Sequence, residues 1–287
     1  MLNKTSSSLS SMRIKELETN NNWRIIDLSH NFIESIDFPD LLRGQKHLET
    51  LQLNYNFNFS GRGNQQIFVH KTLKNFECVT CGFTEVQSQH FAGLVGLERL
   101  ALNTNKINRI AEGAFNSNEN LKLVDLTGNE LKTIMPSLFV SLSKLEALHL
   151  SMNPMELPKN KPFIKSKSLK HLRLNDCNMT FVYLETFSEL RKLESLDLNR
   201  NLIPSLPVNS FKFNVKLKSL FIESNRLRFF SIATMDMLPQ LQELCIDNNT
   251  FTNNSELVEF VEKYSEKRMR TDNCNNNIDY FIENFLR

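Results

Sequence analysis

The sequence predicts an α/β fold of repetitive build. It is read as a right-handed solenoid, a horseshoe with a concave parallel β-sheet, short helical, 3-10 or irregular convex segments and a C-terminal capping helix. Three observations carry this expectation. The pattern L-x-x-L-x-L-x-x-N recurs at steps of 25 and then 24 residues, a Phe recurs at the same period, and so does the Asn that closes each motif. A fixed period in this range is the mark of stacked repeats, each too small to bury a core alone.

The copies run in order from the N-terminal side. WRIIDLSHN begins at Trp23, followed by LETLQLNYN at Leu48, LKNFECVTC at Leu73, LERLALNTN at Leu97 and LKLVDLTGN at Leu121. LEALHLSMN at Leu145, LKHLRLNDC at Leu169, LESLDLNRN at Leu193, LKSLFIESN at Leu217 and LQELCIDNN at Leu241 complete the series. Residues 1–22, with Leu9, Met12 and Leu17 at apolar positions, are read as an incomplete first repeat with a frayed N-terminus. Residues 23–253 form the solenoid of ten repeats, and 254–287 a helical cap and tail. In that cap Ser255 can N-cap a helix, Glu256 suits the dipole, and Leu257, Phe260, Val261 and Tyr264 share a face.

Each position has a physical task. The L-x-L segment is a short strand with alternate side chains inward, so stacked coils share one apolar core. Fifteen residues after the inward strand residue come Phe91, Phe115, Phe139, Phe163, Phe187 and Phe211, then Met235, which accounts for many of the 22 Phe. The closing Asn can satisfy backbone groups inside the turn. This structural ladder comprises Asn31, Asn56, Asn105, Asn129, Asn153, Asn201, Asn225 and Asn249, with Cys81 and Cys177 in place of Asn in two coils. By position, Cys78, Cys81 and Cys177 read as inert buried thiols. Cys245 and Cys274 remain as a candidate disulfide, with Cys245 in an outward column of the last strand.

Composition narrows the function. With 287 residues, 23% charged and a net charge of +2, the chain is neither disordered nor basic enough to suggest nucleic acid, and no apolar run approaches a membrane span. No nucleophile elbow, phosphate loop or metalloprotease helix is present, and His149 and His171 lack a convincing third metal ligand. The expectation is therefore no enzyme, no metal and no cofactor.

Recognition then falls to outward side chains of the concave sheet. One column reads Arg24, Glu49, Lys74, Glu98, Lys122, Glu146, Lys170, Glu194, Lys218, Gln242, a near-perfect alternation suited to pairing between strands about 4.8 Å apart. The central column is irregular: Asp27, Gln52, Glu77, Ala101, Asp125, His149, Arg173, Asp197, Phe221, Cys245. The candidate partner-binding patch is His149, Met152, His171, Arg173, Asp197, Arg200 and Phe221, a mixture of aromatic, basic and soft groups common at protein hot spots. The sequence leaves open whether Arg173 pairs only with Asp197 and Phe221 only packs on its neighbours. Lys159, Lys161, Lys165, Lys167 and Lys170 surround a connecting loop and read first as a solvated surface. Asn58, Asn178 and Asn253 begin N-x-S/T sequons and are candidate glycosylation sites.

Over about residues 20–250 the chain resembles a leucine-rich-repeat protein of the 24-residue "typical" class, seen mainly in extracellular animal proteins. It is similar in this respect to insect Toll-like ectodomains, leucine-rich immune proteins and adhesion molecules. The resemblance implies a secreted or cell-surface protein that binds a protein partner. A cytosolic adaptor and a fragment of a larger membrane receptor are the alternatives. The sequence shows no secretory signal and lacks the four-cysteine flanking cap of extracellular relatives, and N-terminal truncation is the expected reason for the missing signal. An uncapped N-terminal coil would also be a place for oligomerisation.

Overall fold

The structure is a computed structural model that describes residues 1–8, 22–34, 42, 45–59, 65–246 and 248–251. The expected cap at 254–287 lies outside the described residues, as do Leu9, Met12, Leu17, Asn253 and Cys274.

The strands are β1 (Leu2–Asn3), β2 (Ile25–Asp27), β3 (Thr50–Gln52), β4 (Asn75–Glu77), β5 (Glu85–Val86), β6 (Arg99–Ala101), β7 (Arg109–Ile110) and β8 (Leu123–Asp125). They continue with β9 (Ala147–His149), β10 (His171–Arg173), β11 (Ser195–Asp197), β12 (Ser219–Phe221) and β13 (Glu243–Cys245), and a short helix α1 (Ile232–Asp236) precedes β13. Eleven of them form a single parallel sheet in the order β1-β2-β3-β4-β6-β8-β9-β10-β11-β12-β13. Register follows the repeat, so that Leu148 faces Leu172, and Leu172 faces Leu196. The convex side is mostly turns, with β5 and β7 paired there as a two-stranded sheet.

The sheet begins earlier than the repeat count suggests. Leu2 pairs with Ile26 and Asn3 with Asp27 in parallel register. The first coil's strand is therefore at Leu2–Asn3, inside the incomplete repeat expected at 1–22, whose Leu9, Met12 and Leu17 lie outside the described residues. The reason is that Met1–Ser8 already carries the strand-and-turn part of a coil, down to Ser7, whose amide donates to Asn31 Oδ1 at 3.0 Å.

The core is continuous along the solenoid. From β2 onward the inward apolar residue of each strand is buried, as are Phe91, Phe115, Phe139, Phe163, Phe187 and Phe211, while Leu2 of β1 is partly buried against this core. Phe115 and Phe139 stack at 5.8 Å, and Phe187 and Phe211 at 5.9 Å. Each such burial contributes on the order of 1.5–3 kcal/mol.

The Asn turns are built alike. Asn201 Nδ2 donates to Leu174 O at 2.8 Å and Leu198 O at 2.9 Å, while its Oδ1 accepts from the amides of Cys177 and Met179, both at 3.0 Å. Asn129 likewise joins Leu102 O, Leu126 O and the Ile107 amide. One side chain thereby satisfies orphan groups of two coils. The residue before it is left-handed in every coil: His30, Tyr55, Thr80, Thr104, Met152, Asp176, Arg200, Ser224 and Asn248 have φ between 52° and 61°, and Gly128 has 67°. For a non-Gly residue this costs on the order of 1–2 kcal/mol, a strain the surrounding ladder over-determines.

The cysteine turns correct part of the sequence reading. Cys78 and Cys81 are joined in a disulfide, with Cα atoms 5.5 Å apart, and are not two free thiols. Two inward positions of one tight turn come within bonding distance, which a position-by-position reading does not register. Cys177 is free and buried. Its Sγ lies 3.4 Å from Leu150 O, the carbonyl that an Asn amide would reach, and burial pushes the thiol up to about 12. It offers no oxygen for the Met155 amide, which turns to the backbone carbonyls of Asn153 and Cys177 at 2.8 and 3.1 Å.

Candidate functional site on the concave face

Strands expose alternate side chains, so the concave surface is made by the two residues flanking each inward Leu and by those just beyond the strand. On the strand-entry side the alternating charges form ion pairs: Arg24–Glu49 at 2.7 Å, Lys74–Glu49 at 3.2 Å, Lys122–Glu98 at 2.6 Å, Lys170–Glu146 at 2.7 Å and Lys218–Glu194 at 2.6 Å. Arg24 first and Lys74 second hold the Glu49 carboxyl below its ordinary value. These pairs are exposed, so solvent and salt screen them and each contributes little to stability.

The irregular column gives the patch its chemistry. Register aligns Asp125, His149, Arg173 and Asp197 across β8 to β11. His149 Nδ1 stands 3.8 Å from Asp125 Oδ2. Burial opposes ionisation of Asp125, yet the His149 ring and the Thr127 amide outweigh it and bring the carboxyl below its ordinary value. His171, in the neighbouring outward column, is held below its ordinary pKa by burial, against the attraction of Glu194 and Glu146. Asp197 goes the other way. It is 5% exposed, and burial raises its carboxyl to about 6, although the Asn199 amide donates to it at 3.0 Å and the Arg173 charge lies nearby.

Where the strands end, Met152, Asp176 and Arg200 occupy three successive left-handed positions and form a rim. Met152 is 59% exposed, and Arg200 Nη1 lies 3.9 Å from Asp176 Oδ2. Asn175 donates to the same Asp176 oxygen at 2.8 Å and accepts from Ser151, which fixes the carboxylate in place. Ser151, Asn175 and Asn199 thus belong to the patch's support although the sequence reading left them out, and so does Asp125, which it placed in the column but not in the patch. Their signal was the shared register, two residues after or one strand away from the residues chosen.

The structure thus brings His149, His171, Arg173 and Asp197 together as a strip, with Met152 and Arg200 at its border. Phe221 does not join them as an exposed group. At 8% exposure it is buried between its register partners Asp197 and Cys245, because concave curvature closes neighbouring side chains over one another. Cys245 is fully buried and held in a disulfide, and Cys274, its expected partner, lies outside the described residues. Asn58 and Asn178 are exposed, as a glycan acceptor requires, and Asn253 lies outside the described residues. Among the described residues no cluster of three or more His, Cys, Asp or Glu could hold a metal, and no helix is long and apolar enough to cross a membrane.

One further stitch escaped the sequence reading. Asn118 and Asn214, three residues after Phe115 and Phe211, are fully buried. Their Nδ2 atoms donate to Phe91 O and Leu94 O, and to Phe187 O and Leu190 O, at 2.9 to 3.0 Å. They tie the convex turns as the ladder ties the concave ones.

Comparison with known proteins agrees with this architecture. A family model described as leucine rich repeat matches residues 95–155 and 191–251. A chain of the solved Toll–Spatzle complex of Drosophila superimposes with a TM-score of 0.73 at 18% identity, over 96% of this chain and 37% of that one. The chain therefore spans little over a third of the length of its structural counterpart. No curated protein matches it in sequence. The repeat pattern, the eleven-stranded parallel sheet and these matches make the chain a leucine-rich-repeat protein with a solenoid similar to that of Toll.

Proposed function

We propose that the chain is a non-catalytic recognition module, extracellular or cell-surface and receptor-like, that binds a protein partner through the strip His149, His171, Arg173 and Asp197 with Met152 and Arg200 at its rim. The observation that carries this is the accessible part of the irregular column: Met152 is 59% exposed, Arg200 is exposed beside Asp176 at 3.9 Å, and His149, His171 and Arg173 are half-buried next to them, with Asp197 buried in their midst. Met152 offers a soft apolar contact, and Arg173 and Arg200 offer charge-assisted donors. The inward residues are committed to the core, so recognition has this surface to work with. The Toll–Spatzle complex is a precedent for a similar solenoid engaging a protein.

The test is affinity capture of extracellular proteins with the immobilised chain, followed by titration of the captured partner against Arg173→Ala/Arg200→Ala. About a tenfold or greater loss is expected. Unchanged affinity would remove the strip from the interface. Glycosidase-sensitive mobility of the native protein would support the extracellular placement, and a purely cytosolic pool would favour the adaptor alternative.

A further inference from the structure

We infer that an open groove on the strand-entry side of β2, β3 and β4 is a binding site for a sulfated polysaccharide. The groove has a volume of about 670 Å³ and is lined by Arg24, Lys46, His47, Lys71 and Lys74, with Glu49 the one carboxylate among its lining residues. That volume suits a few sugar units.

Charge accounting separates this groove from the rest of the concave edge. From Glu98 onward each Lys of the alternating column has a carboxylate of its own. Here Arg24 and Lys74 share Glu49, and Lys46 and Lys71 have no carboxylate within ion-pair distance among the described residues. Uncompensated like charges on adjacent coils repel one another, and a bound polyanion would relieve that repulsion.

The groove is also preorganised. The Trp23 amide donates to Gln45 Oε1 at 3.0 Å, and buried His70 places Nε2 3.1 Å from Gln45 O. Thr72 Oγ1 donates to Leu48 O at 2.9 Å. Three coils are thereby stitched beneath the cations. Gly96 closes one side, since a Cβ there would meet Lys71 O at 2.3 Å, and only Gly lets these backbones approach so closely. Lys ammonium groups on a fixed backbone suit tetrahedral sulfates as point charges, and Asn22 offers an amide for sugar hydroxyls. No Phe, Tyr or Trp lines the groove, so the stacking platform on which single-stranded nucleic acids depend is missing from it.

The experiment measures binding of the full chain to a heparin dodecasaccharide across a salt series, with Lys46→Ala/Lys71→Ala as the test variant. Lys122→Ala serves as a control for general charge, and Arg173→Ala/Arg200→Ala as a control for the concave strip. Both test lysines are exposed, and circular dichroism checks that the variant folds. The expected result is about a tenfold loss and a shallower salt dependence for the double variant, with both controls near wild type. Equal losses in the test variant and the controls, or no binding by the wild type, would overturn the site. A single-stranded oligonucleotide of matched charge that binds as tightly as the heparin fragment would overturn the sulfated-sugar assignment.

Discussion

The coils that carry β6 to β12 and those that carry β2 to β4 obey one rule of construction and handle charge in opposite ways. In the former, Glu98, Glu146 and Glu194 each neutralise one Lys of the next coil, and the polar residues that depart from this order gather in a single strip. In the latter, one Glu49 serves two cations, a ladder Asn is replaced by Cys81 in a disulfide, and a buried His70 pins the backbone from beneath. The contrast teaches where to look in a repetitive protein. What recurs in every coil is committed to holding the stack, and what breaks the recurrence on an exposed face is free to meet something else.

The largest expected effect tests the recurrent part. Asn201→Ala removes the bonds donated to Leu174 O, Leu198 O and Asn199 O and leaves the Cys177 and Met179 amides without their acceptor, so a loss of about 3–5 kcal/mol is expected by chemical denaturation. Cys177→Ala, one coil earlier, should cost only about 1–2 kcal/mol, because the Met155 amide is already satisfied by backbone carbonyls. Equal losses would mean that amide and thiol turns are equivalent after all.

A smaller effect separates two members of the irregular column. The folded-state pKa of Asp197 lies near 6, above the ordinary 3.8, so the folded state binds its proton more tightly and wild-type stability falls as pH rises from about 4 to about 6. Asp197→Asn should therefore be more stable than wild type at pH 7, by about 3 kcal/mol, with the difference gone below pH 4. Asp125 is shifted in the opposite direction, so its contribution is present above pH 4 and lost on acidification. Asp125→Asn should accordingly destabilise at pH 7. Thermal unfolding of both variants across pH 3–8 checks the two signs together.

The smallest effect concerns the paired charges. Lys122→Ala breaks a one-to-one exposed pair and should cost about 0.2–1 kcal/mol, whereas Lys74→Ala leaves Glu49 its Arg24 and should cost less. A larger loss for Lys74 would remove the distinction between the two regions.

The fold was legible because its cause is periodic. A Leu spacing repeated ten times, with Phe and Asn columns in phase, admits few other architectures, and the strands fall on the L-x-L segments. Legibility failed where the cause is local crowding in three dimensions. The Cys78–Cys81 bond comes from two inward positions meeting inside one turn. Phe221 belongs to an outward column, but curvature shuts it between Asp197 and Cys245. The groove over Gln45, His70 and Thr72 depends on contacts between coils that no spacing within one repeat announces. Of the candidate strip, sequence supplied the column and its irregularity, and the structure supplied the desolvation of Asp197.

The ion pairs along the strand-entry edge reinforce the coils unevenly. Between Glu98 and Lys218 they join coils two by two, Glu98 to Lys122, Glu146 to Lys170 and Glu194 to Lys218. The joints between Lys122 and Glu146 and between Lys170 and Glu194 carry no such clasp within 4.0 Å. Since each coil of a solenoid touches only its neighbours, the clasps add a small, salt-sensitive bonus to every second joint, on top of the backbone bonds and the core that all joints share.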